Sequence, residues 1–449
     1  MSNLLAARWQ MAISLGFHII FAVIGIALPL LMVIAEALWL RTKDPVYRIL
    51  AQRWARGAAI LFAVGAVSGT VLSFELGLLW PKFMEFAGAI IGPAFSLEGF
   101  AFFTEAIFLG IYIYGWDKVG RLTHLFAGTV VAASGAASGA LVVLANAWMN
   151  TPQGFKLDAQ RKPIDIDPIA SLFTPSALSE TLHMTLAAYA ATGLLVAGVH
   201  AVALLRDRTN PFHRHALMIA LFVGGIASVL QPLSGDYAAK VVAKTQPVKL
   251  AAMEGQFETE NRAPLRIGGI PFPEERVTRY SIDIPGGLSF LAYGRFDAQV
   301  KGLNEYSVND QPDVRVVHPA FQVMVGCGSV MMLVVLWAGL LAWRQKKLPD
   351  GRLFLRVVAL TSPLGMIAIE AGWIVTEVGR QPWIVHQVMR TSEAVTPVRG
   401  IWISLIAFAG LYLALGVIVA KLLLYQFRSS PSVQALNDPA SLEYDAHDH

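Results

Sequence analysis

Four side chains of ligand type lie inside long apolar runs of this sequence: His18, His183, Met324 and Glu377. Ionisable groups at membrane depth are costly and are as a rule functional. Glu377 belongs to the stretch Gly372–Trp383, where its carboxylate and the guanidinium of Arg380 stand between Trp373 and Trp383. Such a glutamate can ligate a metal, relay protons or complete an ion pair. Imidazole and thioether together suit a six-coordinate, low-spin haem iron, and a single protein ligand leaves a face open for oxygen. His183 with Met324 would serve the first arrangement, His18 and Glu377 the second. Taken singly, an intramembrane histidine is more often a packing residue or relay, a methionine is ordinary core, and Glu377 with Arg380 can be a structural pair. The pattern leaves these readings side by side.

Other polar residues extend the set. Glu98 and Glu105 are seven residues apart, two helical turns, so both carboxylates share a face. Such a pair suggests a proton path, or packing against polar neighbours. Ser134, Ser138 and Asn146 follow at multiples of four on the next span, with Gly135 and Gly139 forming a small-residue pair suited to close helix packing. Lys249 and Glu254 flank a short apolar helix-like segment. A cation and a carboxylate there could hydrogen-bond the two oxygens of a quinol and accept its proton; otherwise they belong to a solvated surface helix.

The elements that must position these residues are helices in a membrane. Of 449 residues, 55% are hydrophobic and 15% charged, against about 25% charged in soluble domains. The apolar runs are far longer than the roughly ten residues of a barrel strand. The expectation is an all-α, polytopic membrane protein with nine spans: 11–39, 57–80, 94–115, 124–148, 177–205, 215–233, 319–343, 353–377 and 400–425. Residues 234–318 form a long polar loop, expected to be structureless and functional, and 429–449 a mobile tail. The chain thus divides into 1–233, 234–318, 319–428 and 429–449. Met11–Leu40 is too long for a signal-peptide core and reads as a retained first span. The one cysteine, Cys327, excludes disulfide, four-cysteine metal and C-x-x-C-H frameworks. About seventeen Lys and Arg flank the spans on one side against eight on the other. That bias puts the N-terminus and long loop outside and the C-terminus in the cytoplasm.

The motifs Arg8 with His18, Glu98-Gly99 through Thr104-Glu105, Gly115-Trp116-Asp117, Leu182-His183-Met184, Lys249 through Glu254, Met324-Val325-Gly326 and Gly372-Trp373 through Trp383 follow one order over essentially the whole chain. In these the sequence resembles subunit I of the cytochrome bd-type quinol oxidases. The resemblance implies that His183 and Met324 are the axial ligands of a low-spin haem b that takes electrons from quinol. It places His18 and Glu377 at two high-spin haems, one b and one d or a further b, where oxygen is reduced. Glu98 matches the acid near that centre, and Glu105, Ser138 and Asn146 a proton route from the cytoplasm. Lys249 and Glu254 match quinol contacts. Trp373 and Arg380 match residues around the high-spin pair, the indole as an electron relay and the guanidinium holding a propionate. The resemblance further implies a second large subunit, a small single-helix one, a bacterial cytoplasmic membrane and no nucleic-acid partner. Protons for water would come from inside and quinol protons leave outside, so a gradient forms without pumping.

Gln322 stands where many members carry arginine, which removes a positive charge near the low-spin iron or its propionates. This segment resembles the cyanide-insensitive branch, and the loop resembles the family's short form. Two other functions fit parts of the pattern: a proton-coupled transporter with its site near the midplane, and a b-type cytochrome that relays quinol electrons without meeting oxygen. The ligand-type residues gather toward the outer edge, which disfavours the first. The second usually needs paired histidines and leaves Glu377 without a role.

Overall fold

The computed structural model describes residues 2–437; most of the expected cytoplasmic tail lies outside the described residues. In chain order the helices are α1 (Asn3–Thr42), α2 (Pro45–Leu79), α3 (Pro81–Tyr114), α4 (Arg121–Asn150), α5 (Pro168–Leu172), α6 (Ala177–Arg206), α7 (Pro211–Thr245), α8 (Pro247–Glu254), α9 (Gly287–Tyr293), α10 (Val314–Gln345), α11 (Arg352–Thr361), α12 (Leu364–Val378), α13 (Thr391–Ala394), α14 (Ile401–Arg428) and α15 (Val433–Asn437). Among the described residues nine helical spans are long and apolar enough to cross a membrane, with α11 and α12 forming one of them. The all-α, nine-span expectation holds.

Local chemistry starts the helices. The side chains of Asp44, Asn210 and Asp313 accept hydrogen bonds from the backbone of Val46, Phe212 and Arg315 at 2.9, 3.0 and 3.1 Å. Pro45 and Pro211 fill the first turns of α2 and α7, where a missing N–H costs nothing. The eighth span breaks at Ser362-Pro363, since proline cannot donate into a helix. The break rests on α6, where a Cβ on Gly198 would lie 2.1 Å from that of Ser362. Gly193 of α6 and Gly224 of α7 also meet backbone to backbone; a Cβ on Gly193 would come within 2.5 Å of Gly224 Cα. Large apolar side chains on α3, α10 and α14, among them Phe100, Phe103, Leu333, Leu336, Ile406 and Leu413, remain exposed and form a surface fit for lipid or a partner chain.

Two expectations are corrected. Residues 234–245, read as loop, continue α7 to Thr245. Asp236 and Lys240 look like loop residues in sequence but pair at helical spacing, Nζ to Oδ2 at 2.5 Å. Nor is the remaining loop structureless: it folds into α8, an antiparallel hairpin of Leu265–Phe272 with Val277–Ile284, and α9. His318, fully buried in the first turns of α10, anchors it. Its ring nitrogens face the carbonyls of Met253 at 2.8 Å and Gly268 at 3.0 Å.

Candidate functional site

At the end of the bundle that carries the loop, four helices converge on one buried polar network. Asn146 of α4 donates to Glu377 Oε1 at 2.5 Å, and Arg380 donates to Glu377 Oε2 at 2.6 Å. Asn150, one turn beyond Asn146, donates to Asn146 Oδ1 at 2.9 Å and to Glu180 Oε1 at 3.1 Å. Lys249 of α8 reaches Asn150 Oδ1 and the Thr376 carbonyl, both at 3.3 Å. Two carboxylates and two cations thus offset each other, as burial demands. Arg380 is 2% exposed, yet its Nε and Nη1 have no partner. An unpaired buried guanidinium edge is costly and is what a carboxylate-bearing group would satisfy.

The two histidines are held alike. His18 Nδ1 lies 2.9 Å from Ser68 Oγ on α2, and His183 Nδ1 lies 3.0 Å from Ser234 Oγ on α7. Met324 projects from α10 onto α12, where a Cβ on Gly372 would come within 3.1 Å of its sulfur. Trp373 packs in a cluster with Ile19 and Met184, the chain neighbours of the two histidines. The donor set fits haem: imidazoles with one nitrogen tied back, a thioether and an anion-seeking guanidinium. Among the described residues no three His, Cys, Asp or Glu side chains converge on one point.

A second network lies further from the loop. Ser138 donates to Glu98 Oε1 at 2.9 Å. Glu105 packs against α4 at Gly135, where a Cβ would lie 3.3 Å from its carboxylate. Gly135 therefore admits a carboxylate, while Gly139 admits Ile26 of α1. Ser134 turns back to the Val130 carbonyl. Asn146 is not brought to this group: it sits about 12 Å further along α4 by helical rise, on Glu377. The surface-helix alternative for Lys249 and Glu254 is excluded, because both are 4% exposed. They project about 140° apart around α8. Lys249 joins the Glu377 network, and Glu254 lies beside Arg266, with Oε2 unpartnered. Burial lowers the Lys249 ammonium to about 8, with Glu180 opposing. It raises the Glu254 carboxyl to about 7, with Arg266 opposing. Gln322 engages the hairpin backbone, accepting from Gly268 N at 2.9 Å and donating to Arg266 O at 3.0 Å.

Several residues went unread in the sequence. Asn150 continues the Ser138/Asn146 spacing, and Glu180 lies one turn before His183. Glu370 stands seven residues before Glu377, the same interval as Glu98 and Glu105; its Oε1 is buried without a partner. Near the opposite end Glu36, also unread, meets His124 at 2.8 Å, while Asp117 of the Gly115-Trp116-Asp117 motif pairs with Arg48.

The architecture is thus that of a multi-span membrane protein whose helices carry ligand-type side chains and buried acid–base networks. The family described as cytochrome bd terminal oxidase subunit I matches residues 6–431. A Bacillus subtilis (strain 168) protein provisionally described as cytochrome bd menaquinol oxidase subunit I is 39% identical over 98% of this chain and 100% of its own length. The cytochrome bd ubiquinol oxidase subunit 1 of the same organism is 32% identical over 99% and 98%. The solved bd oxidase of Geobacillus thermodenitrificans superposes with TM-score 0.90 at 38% identity, covering 96% of this chain and 99% of that one. The chain belongs to the cytochrome bd terminal oxidase subunit I family. It is an oxidoreductase of the respiratory chain.

Proposed function

We propose that the chain oxidises quinol at the loop end of the bundle and reduces oxygen to water with protons drawn from the opposite end. The observation that carries this is the Glu377–Arg380 pair: a buried guanidinium with two idle donors, tied through Asn146, Asn150 and Lys249 to the loop. Three haems would supply the electron transfer and oxygen chemistry: a low-spin b on His183 and Met324, a high-spin b, and a d or further b, the latter two on His18 and Glu377. Arg380 orients a propionate, and Trp373 excludes water between the histidine-bearing helices. Glu254, in a dry site and near neutrality in its proton affinity, accepts a proton from the quinol hydroxyl. Lys249 compensates charge between the loop and Glu377. Glu105 and then Glu98, held by Ser138, pass protons along α3 toward the loop end.

With the N-terminus and loop outside a bacterial cytoplasmic membrane, this separation of proton sources charges the membrane without a pump. A second large subunit and a small single-helix one cover the exposed apolar faces of α3, α10 and α14. The test is a reduced-minus-oxidised spectrum of the purified complex with and without carbon monoxide. A low-spin α band and a carbon-monoxide-sensitive high-spin signal are expected, and His183→Ala removes the first. A folded complex without pigment overturns the proposal.

A further inference from the structure

The geometry points to Ser68-Gly69 and Ser234-Gly235 as two copies of one device that orients a haem-ligating imidazole; this rests on the assignment of His18 and His183 as ligands. A serine in a membrane helix commonly returns its proton to the preceding turn, and both serines do. Ser68 Oγ lies 2.9 Å from the Val64 carbonyl and 3.1 Å from that of Gly65. Ser234 Oγ donates to the Gln231 carbonyl at 2.8 Å. Each hydroxyl has one proton, and it is spent inside its own helix. Towards the histidine the oxygen therefore acts as acceptor, so the Nδ1 that faces it, at 2.9 Å for His18 and 3.0 Å for His183, carries the ring proton. In a neutral imidazole the lone pair is then left on Nε2, the form a metal ligand requires.

The glycine after each serine completes the cradle. A Cβ on Gly69 would stand 3.0 Å from His18 Cε1, and one on Gly235 3.4 Å from His183 Cε1. Both rings thus lie edge-on against the neighbouring helix backbone, with Nδ1 on the hydroxyl. The same dipeptide does this on α2 for α1 and on α7 for α6. Gln231 does not replace Ser234. Its Nε2 is 3.3 Å from both ring nitrogens of His183, so it does not lie along the Nε2 lone pair, and at 3.1 Å it donates to the His183 carbonyl.

The roles are positional and electronic. A hydroxyl acceptor makes the imidazole a somewhat stronger donor to iron, and it fixes the ring rotation. The test uses the complete oxidase carrying Ser234→Ala, Ser234→Thr, Ser68→Ala or Ser68→Thr, read by redox titration and absorption spectra. Ser234→Ala is expected to raise the midpoint potential of the low-spin centre and weaken haem retention about 10–100-fold, leaving the high-spin spectrum in place. Ser68→Ala is expected to change the carbon-monoxide difference spectrum and leave the low-spin potential unmoved. Threonine, which keeps the hydroxyl, restores both, which a simple packing role would not predict. Alanine variants with wild-type potential and spectrum, beside a His183→Ala variant that loses its low-spin band, overturn the device while the ligand assignment stands. A His183→Ala variant that keeps the band overturns both.

Discussion

Glu254→Gln gives a decisive perturbation, because stability and catalysis should respond in opposite directions. The Glu254 carboxyl is 4% exposed and raised by burial from 4.5 to about 7. That gap is worth about 3 kcal/mol. Between pH 4.5 and 7 the folded chain holds a proton that the unfolded chain has released. Stability therefore falls as pH rises through this window, and the penalty is fully present above about 7. Glutamine carries no charge, so the pH slope contributed by this site disappears. The net gain at pH 8 stays below about 3 kcal/mol, because a buried amide proton without a partner costs about 1–3 kcal/mol. Quinol oxidation behaves in reverse. If the carboxylate is the base, wild-type kcat/KM falls about tenfold per pH unit below 7, and Glu254→Gln loses about 10²–10⁴-fold at pH 8 together with the acidic limb. The assays are stopped-flow quinol oxidation from pH 5 to 8.5 and tryptophan-monitored thermal unfolding over the same range. An acidic limb near 7 that survives in Glu254→Gln, or a wild-type profile flat from 5 to 7, refutes the assignment of Glu254 as base.

Arg380→Lys keeps the charge but loses the planar fork; it is expected to weaken the high-spin signal in the carbon monoxide spectrum, and Arg380→Leu, which leaves Asn146 as the hydrogen-bond donor to Glu377, to destabilise the fold by about 1–3 kcal/mol. Glu105→Gln is expected to slow oxygen reduction while the low-spin spectrum stays intact, measured as turnover in reconstituted vesicles; unchanged turnover contradicts the proton route. Gly193→Ala drives a Cβ to 2.5 Å from Gly224 Cα, a backbone clash no rotamer relieves, and should cost about 1–3 kcal/mol or more in thermal stability.

The spans were legible because lipid imposes length and apolarity on every one of them, and the caps Asp44, Asn210 and Asp313 sit where side-chain chemistry would put them. The end of α7 was not, because Ser234, Asp236 and Lys240 carry a loop's composition while pairing at helical spacing. The individual candidate ligands could be named from residue type and motif. Their supports could not, because those contacts are long-range: Ser68 is 50 positions from His18, and Asn146 is 231 from Glu377. Glu370 is different. Its seven-residue interval to Glu377 was open to the same reading that found Glu98 and Glu105.

The α4 face shows what helical spacing alone leaves undetermined. Ser138 and Asn146 share a helical stripe, and the family resemblance implied one continuous proton route past both. Val142 interrupts that stripe, and the two polar ends take different partners: Ser138 takes Glu98 of α3, while Asn146 and Asn150 take Glu377 and Glu180. Among the described residues no cation pairs with Glu98 or Glu105, which suits groups that take up and release protons. The Glu377 end sets Arg380 and Lys249 against the carboxyl groups of Glu377 and Glu180, so acid and base groups meet there in one network. A stripe that reads as one wire is therefore two devices. The end far from the loop carries carboxyl groups without a cation partner, and the loop end carries carboxyl groups compensated by Arg380 and Lys249.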